Sequence, residues 1–267
     1  MMRTRASMSF VKRSAVMALI AAVMMGCGTQ PQSAPRQGKP MLFLAGDSTM
    51  ADQPQDKYPE HGWGQVLPEY LNDGIEIENH ARNGRSTKSF IDEGRWQVVL
   101  DGVDEGDFVV IGFGHNDQKD YDETRYAAPW SDYRRNLERM VEEVRQRGGE
   151  PILVTAIRRR AFDENGRPEA TLGDYPEATR AVAHEHQVPL VDLNVMTRQM
   201  LVEAGAEGSA DIYMQIPPGE YANLPDGKDD NTHLQRAGAL RVAALFVESV
   251  KRQGLPLARY LKTAPLE

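Results

Sequence analysis

The chain of 267 residues contains a single cysteine, Cys27, so no disulfide can form within it and its stability must come from a hydrophobic core. It lacks the HExxH and CxxC patterns of common metal sites and the GxSxG motif of ordinary α/β-hydrolases. Aromatic residues are scarce, at 7%, but 40% of the residues are hydrophobic and 26% are charged, which is typical of a globular protein. The sequence therefore predicts one large domain or two small ones.

Basic residues are outnumbered by acidic ones, 31 to 39. Four of the basic residues fall within residues 1–26, which contain no acidic residue, so the rest of the chain has 27 basic and 39 acidic residues and a net charge of −12. Binding to nucleic acid needs clustered Lys and Arg. We therefore expect no nucleic-acid partner, although local basic patches remain open.

The first 26 residues join a basic start to an uncharged run, residues 15–26, that is too short to span a bilayer comfortably as a mature helix. We interpret residues 1–26 as a secretory signal peptide. Cys27 follows directly, and this arrangement resembles the lipobox of bacterial lipoproteins, in which the cysteine is lipidated and becomes the mature N-terminus. The alternative is an unmodified cysteine beside an ordinary cleavage site.

Residues 27–39 are rich in Pro, Gln, Ser and Gly, a composition that favours a flexible tether. With the lipobox, it predicts an exported protein that is lipid-anchored to the bacterial cell envelope, in the periplasm or at the cell surface. Residues 40–267 are expected to form one domain, since they show no internal repeat. The sequence leaves the oligomeric state open.

Short apolar runs alternate with helical patterns along residues 40–267, which predicts a parallel sheet covered by helices on both faces, a three-layer α/β/α sandwich. The five expected strands are residues 41–45, 75–79, 108–113, 152–156 and 190–193. The expected helices are residues 62–72, 130–148, 175–187, 194–205 and 235–253. Residues 206–232 contain three prolines and several glycines, so we expect a long loop there.

Polar clusters follow the first three of these strands. Ser48 lies in "AGDSTM", after the first strand, and "NHARNGRS" and "GHND" follow the second and third. Ligands of open parallel sheets bind outside the carboxyl ends of the strands. The three clusters are therefore expected at one edge of the sheet, where a site would form.

A serine hydroxyl becomes a nucleophile when a base takes its proton and a third group orients that base. Asp230 and His233, in "DDNTHL", are three residues apart, a spacing that allows the carboxylate to contact the imidazole. Gly84 and Asn116 offer a backbone N–H and a side-chain amide to an oxyanion. Each feature also has an ordinary interpretation: a capping Asp beside an exposed His, a turn glycine, and an asparagine that caps a helix.

Taken together, these blocks resemble the SGNH hydrolases, also called GDSL-type esterases. The blocks "AGDSTM", "GWGQVL", "NHARNGRSTKSF", "FGHND", "LGDYPEATRAVA" and "DDNTHL" are similar to the rhamnogalacturonan acetylesterase branch of that superfamily. The resemblance runs from about residue 40 to the last helix. It implies a flavodoxin-like fold with a central parallel sheet, and an esterase that needs neither metal nor organic cofactor.

The resemblance also implies roles for individual residues. Ser48 would be the nucleophile, His233 the general base and later acid, and Asp230 the residue that orients it. The N–H groups of Ser48 and Gly84 and the Asn116 amide would form the oxyanion hole. The expected reaction is removal of O-acetyl groups from a pectic polysaccharide, with rhamnogalacturonan as the expected polymer.

Two alternatives stay open. One is an esterase of the same superfamily that acts on xylan, on O-acetylated peptidoglycan, or on a small or lipid ester. The other is a lipoprotein that binds glycans without catalysis.

Further polar residues near these blocks have two interpretations each. His115 either contacts substrate or anchors its loop. Arg85, together with Arg158 and Arg160 of the "RRR" patch, either meets uronate carboxylates or pairs with neighbouring acidic loops. Asp47 and Asp117 are expected to hold loops in place rather than to act as the triad acid.

Overall fold

The computed structural model describes Met1 and residues 38–263. The expected signal peptide, the lipidation site Cys27 and nearly all of the expected tether lie outside the described residues. No helix within the described part is long and apolar enough to cross a membrane.

Residues 38–263 form eight strands and seven α-helices. The strands are β1 (Met41–Gly46), β2 (Glu60–His61), β3 (Glu76–Asn79), β4 (Phe108–Gly112), β5 (Glu150–Val154), β6 (Leu190–Val191), β7 (Tyr213–Ile216) and β8 (Lys228–Gln235). The helices are α1 (Trp63–Val66), α2 (Thr87–Asp92), α3 (Arg95–Gly102), α4 (Arg134–Gln146), α5 (Tyr175–Glu185), α6 (Leu193–Gly208) and α7 (Arg236–Arg252).

Five strands form a parallel sheet in the order β3-β1-β4-β5-β6. Counted among these five alone, the order is 2-1-3-4-5, which is that of flavodoxin-like folds. All five expected strands are present, each within a few residues of its expected bounds. The expected α/β fold is therefore confirmed.

Alternate residues of the central strand β1 enter two separate cores, because successive side chains of a strand point to opposite faces. Leu42 and Leu44 belong to the core with α1, α6 and α7. Phe43 belongs to the core with α2, α3, α4 and α5. The sheet is thus covered on both faces, which is why its inner strands β1, β4 and β5 are nearly continuous apolar runs.

A second, antiparallel sheet has the order β2-β8-β7. The expectation of a long loop over residues 206–232 is therefore wrong, since this range contains the end of α6, all of β7 and the first half of β8. The prolines of this range all lie in the connection between β7 and β8, at residues 217–227, so they interrupt neither strand. Helices α2 and α3 were also not expected, because both are short.

Candidate active site

Ser48 lies in a tight turn that directly follows β1. The N–H of Ala51 donates to Asp47 O at 3.0 Å, and Asp47 Oδ1 accepts from the N–H and the hydroxyl of Thr49 at 2.9 and 2.8 Å. Gly46 permits this geometry, since a Cβ there would lie 2.8 Å from Gly112 O. The turn therefore holds Ser48 at the carboxyl end of the sheet, with 8% of its surface exposed.

Strand β2 joins the small sheet to this turn. The N–H of Trp63, just after β2, donates to Thr49 O at 2.9 Å. Gly62 has no side chain, and a Cβ there would lie 2.1 Å from Ala51 O. Because β2 also pairs with β8 through His61 and Leu234, it brings β8 close to Ser48.

The structure places His233 between Ser48 and Asp230. His233 Nε2 lies 2.8 Å from Ser48 Oγ, and His233 Nδ1 lies 2.7 Å from Asp230 Oδ2. The other carboxylate oxygen, Asp230 Oδ1, accepts from the N–H groups of Thr232 and His233 at 2.8 and 3.1 Å. The three side chains therefore form one continuous chain of hydrogen bonds.

A bulge in β8 produces this arrangement. Tyr213 pairs with Leu234 but the next residue, Met214, pairs with Asp230, so residues 231–233 have no partner in β7. The extra residues curl the strand and bring the side chains of Asp230 and His233 to the same side. The three-residue spacing thus reflects a bulged strand.

Charges within the site shift the pKa values of both partners. Burial would raise the pKa of Asp230, but the hydrogen bonds and charge of His233 and the backbone N–H groups outweigh it and hold this pKa well below its usual range. Burial would lower the pKa of His233, but the carboxylate of Asp230, with smaller contributions from Glu60 and Asp47, raises it above its ordinary value. The pair thus favours a charged carboxylate beside a basic imidazole.

Three candidate donors to an oxyanion lie on the serine turn and on the loops that follow β3 and β4. Within residues 38–263, the N–H groups of Ser48 and Gly84 have no hydrogen-bond acceptor. Gly84 has a φ of +77°, a conformation that favours glycine. Asn116 Nδ2 donates to Arg85 O at 3.1 Å, and Asn116 Oδ1 accepts from Lys119 Nζ at 2.8 Å. These two contacts fix the orientation of the amide and leave one Nδ2 hydrogen for another acceptor.

Gln53 connects the loops that carry these groups, and no sequence motif pointed to it. Gln53 Nε2 donates to Ser48 O and to Asn83 Oδ1, both at 2.9 Å, and Asn83 Nδ2 donates back to Gln53 Oε1 at 2.8 Å. Since Asn83 precedes Gly84, this buried amide pair sets the distance between the serine turn and the glycine loop.

His115 anchors its loop. Its Nδ1 lies 3.0 Å from Asp47 Oδ2, its Nε2 lies 3.1 Å from Ile157 O, and only 3% of the residue is exposed. Both ring nitrogens are therefore occupied by protein oxygens, which favours the interpretation of His115 as a loop anchor over that of a substrate contact. Burial would raise the pKa of Asp47, but His115 and Thr49 outweigh it and lower this pKa.

Asp117 is fully buried behind Asn116. Its Oδ1 accepts from the backbone N–H and the hydroxyl of Thr87 at the start of α2, while its Oδ2 has no hydrogen-bond partner in the described part of the chain. Burial raises the pKa of Asp117 to about 7. Both Asp47 and Asp117 thus connect loops, and neither contacts His233 through a hydrogen bond.

The arginines differ in what they contact. Arg85 pairs with Glu93 at 3.1 Å, Arg158 Nη1 donates to Glu169 O at 2.9 Å, and Arg160 Nη2 donates to Ala206 O at 2.8 Å. These three candidate substrate contacts are therefore held by the protein itself. Arg159 instead reaches toward the triad segment, where its Nε donates to Thr232 Oγ1 at 3.2 Å.

No group of three or more His, Cys, Asp or Glu side chains within residues 38–263 is arranged to hold a metal ion. The polar groups around Ser48 instead provide a hydroxyl, a base and hydrogen-bond donors. That set suits acyl transfer, in which a serine attacks a carbonyl and donors stabilise the resulting oxyanion.

Comparisons with known proteins agree with this chemistry. The sequence model of the GDSL-like Lipase/Acylhydrolase family matches residues 44–241. Rhamnogalacturonan acetylesterase RhgT of Bacillus subtilis is 43% identical over 82% of this chain and 93% of its own length. The probable rhamnogalacturonan acetylesterase YesY of the same organism is 34% identical over 81% of this chain and 94% of its own length.

A solved structure supports the same assignment. The crystal structure of the YxiM protein of Bacillus subtilis matches with a TM-score of 0.71 and 26% identity, over 82% of this chain. The chain spans 58% of that larger protein. The resemblance expected from the sequence motifs is confirmed, and the chain belongs to the GDSL-like lipase/acylhydrolase family.

Proposed function

We propose that this protein is a serine esterase that removes O-acetyl groups from pectic polysaccharide, with rhamnogalacturonan as its polymer. The observation that carries the proposal is the continuous hydrogen-bonded chain from Ser48 through His233 to Asp230, next to N–H groups without acceptors. The polymer is taken from the two Bacillus subtilis relatives, whose names include rhamnogalacturonan acetylesterase and which align over about four-fifths of this chain.

In the proposed reaction, Ser48 Oγ attacks the acetyl carbonyl carbon while His233 Nε2 takes the hydroxyl proton. The oxyanion accepts hydrogen bonds from the N–H groups of Ser48 and Gly84 and from Asn116 Nδ2. The intermediate then collapses: the bond to the sugar oxygen breaks, and His233 gives its proton to that oxygen. Water, deprotonated by the same imidazole, attacks the acetyl-enzyme and releases acetate and free Ser48.

The surroundings of the serine favour a short acyl group. The segments linked to Ser48 carry polar side chains: Asn83 is joined to the serine turn through Gln53, and Thr232, between the triad residues Asp230 and His233, accepts from Arg159. A long acyl chain needs apolar walls, because burying it against polar groups leaves those groups without hydrogen bonds. A series of p-nitrophenyl esters is expected to show the highest kcat/KM for acetate. A preference for acyl chains of about eight carbons or more would overturn the acetylesterase proposal.

The direct test is acetate release from acetylated rhamnogalacturonan, acetylated xylan and O-acetylated peptidoglycan. We expect the highest kcat/KM for rhamnogalacturonan. Ser48→Ala should lower kcat on the order of 10⁴-fold or more, with an unchanged melting temperature, because it removes the nucleophile and deletes only a single hydroxyl group. Unchanged hydrolysis in a folded Ser48→Ala protein would exclude the acyl-enzyme, and a clear preference for xylan or peptidoglycan would exclude the pectic substrate.

Export and a lipid anchor at Cys27 are also part of the proposal. They rest on the basic and apolar pattern of residues 1–26 and on the position of the single cysteine. The full chain, expressed in bacteria with labelled palmitate, should carry the label and sediment with membranes. Cys27→Ser should lose both properties, and a wild-type protein without label would contradict the anchor.

A further inference from the structure

Two cations lie on the loops that frame the candidate active site. Lys119 Nζ contacts Asn116 Oδ1 at 2.8 Å, on the loop after β4. Arg159, on the loop after β5, donates from Nε to Thr232 Oγ1 at 3.2 Å, between Asp230 and His233 in sequence. Lys119 therefore contacts a candidate oxyanion donor, and Arg159 contacts the segment that carries the triad residues Asp230 and His233.

The loop after β4 also connects the two cations. With the Gln118 amide turned so that its oxygen faces the guanidinium, Arg159 Nη1 and Nη2 lie 2.8 and 2.7 Å from that oxygen. Gln118 directly precedes Lys119 in the chain. Burial, together with the charges of Arg125 and Arg159, lowers the pKa of Lys119, which agrees with this close grouping of positive charge.

Neither cation has a carboxylate partner among the described residues, although the full chain has a net charge of −8. The neighbouring Arg125 pairs with Asp122 at 2.5 Å, and Arg85 pairs with Glu93. The groups that Arg159 contacts are neutral: Thr232 Oγ1, Thr171 O and the Gln118 oxygen. The charges of Asp47 and Asp230 act on Arg159 from a distance, but neither carboxylate forms an ion pair with it, so the guanidinium can still donate to a carboxylate in direct contact.

Both cations also retain hydrogen-bond donors. An ammonium has three hydrogens, of which Lys119 uses one on Asn116. Arg159 Nη2 has two hydrogens, of which one is directed at Gln118. The remaining donors match a carboxylate, which accepts charge-assisted hydrogen bonds from both cation types.

We propose that Lys119 and Arg159 form a subsite for the carboxylate of a uronic acid residue close to the acetylated hydroxyl. This inference rests on the proposed esterase function and adds a charge requirement to it. The carboxylate would lie beside the oxyanion hole, within about the width of one sugar ring of Ser48. The enzyme would thus select acetyl groups on acidic polysaccharide over those on neutral chains such as xylan.

The test compares two substrates that differ at the uronic acid carboxylate: acetylated rhamnogalacturonan oligomers, and the same oligomers after methyl esterification, which removes the negative charge. Acetate release by the wild-type enzyme should show kcat/KM about tenfold or more higher for the free acid at low ionic strength, and salt should reduce the difference. Similar values for both substrates would overturn the subsite. Acetate release from either substrate would still support the esterase, so the two proposals fail separately.

Arg159→Gln identifies the residue responsible. It should shift the ratio of kcat/KM for the free acid to kcat/KM for the methyl ester toward one. The variant should lose more kcat/KM on the acidic substrate than on neutral p-nitrophenyl acetate. Arg139→Gln is the control matched in charge, since Arg139 lies on α4 and pairs with Glu143 at 2.9 Å; it should keep the preference. A folded Arg159→Gln enzyme with an intact preference would exclude Arg159. If this variant does not fold, the wild-type comparison alone decides, and Arg159→Lys tests whether charge without the planar fork suffices.

Discussion

Ser48 and His233 are 185 residues apart in sequence, and their side chains meet at 2.8 Å. The imidazole nitrogen that faces the serine is Nε2, because Nδ1 is held by Asp230 at 2.7 Å. The nitrogen that must accept a proton is therefore free to do so whenever the ring is neutral. This relationship makes activity depend on the protonation of one imidazole.

The first prediction concerns pH. Neutral His233 is the base, so kcat/KM should fall on the acid side as the ring becomes protonated. Because Asp230 raises the pKa of His233, the midpoint should lie above the ordinary histidine value of about 6.5. Hydrolysis of p-nitrophenyl acetate from about pH 5 to about pH 9 measures it. A flat profile, or a midpoint below about 6.5, would contradict the assigned contact.

The second prediction concerns Asp230→Asn. Oδ1 of residue 230 accepts from two backbone N–H groups, so the asparagine oxygen should stay there and its NH₂ should face His233 Nδ1. The ring would then carry its hydrogen on Nε2, facing Ser48, and kcat should fall on the order of 10⁴-fold. Asp229→Asn is the matched control on the same strand, because the exposed Asp229 contacts Gln215. Equal activity of the two variants would remove Asp230 from the mechanism.

The third prediction concerns the oxyanion donors. Asn116→Ala should lower kcat for p-nitrophenyl acetate on the order of 100- to 1000-fold. Lys119→Met should cause a smaller loss of kcat, since Lys119 acts through the orientation of the Asn116 amide. In the double variant, removal of Lys119 should cost nothing further. Fully additive losses in this cycle would show that the two residues act independently.

The fourth prediction concerns Asp117 and stability. Its pKa in the folded protein is about 7, above the ordinary value of 3.8, so the folded state holds the proton more tightly than the unfolded state. This contribution to stability is complete below about pH 4 and is lost as pH rises toward about 7.

Asp117→Asn has no carboxyl proton to lose, so its stability does not share this pH dependence. The free energy of unfolding of the variant minus that of wild type should therefore increase as pH rises over this window, by at most about 1.4 kcal/mol per pH unit. Urea unfolding at several pH values measures the difference. A difference that does not change with pH would show that Asp117 titrates alike in both states.

The parallel sheet was predictable from sequence because its inner strands β1, β4 and β5 are buried on both faces and therefore read as short apolar runs. The last helix was predictable for a similar reason: its apolar residues recur at helical spacing, and α7 begins and ends within one residue of the expected bounds. The grouping of Ser48, Gly84 and Asn116 followed from topology, because the carboxyl ends of parallel strands meet at one edge.

The small sheet was not predictable in the same way. Strand β8 reads "KDDNTHLQ", in which only Leu234 is buried, so it shows no apolar alternation. Its partners β2 and β7 are short, and β2 lies more than 160 residues earlier in the chain. The role of Gln53 was hidden for another reason: a pair of side-chain amides leaves no pattern in the sequence.

The position of the bulge in β8 has a consequence for how such an enzyme can change. Three residue pairs separate the β7–β8 connection from the segment that carries His233. They are Ile216 with Lys228, Gln215 with Asp229 and Met214 with Asp230. Insertions or deletions in residues 217–227 would therefore change the shape of the β7–β8 connection without displacing the His233 imidazole. Loop variation on this side and the chemistry at Ser48 are free to diverge independently during evolution.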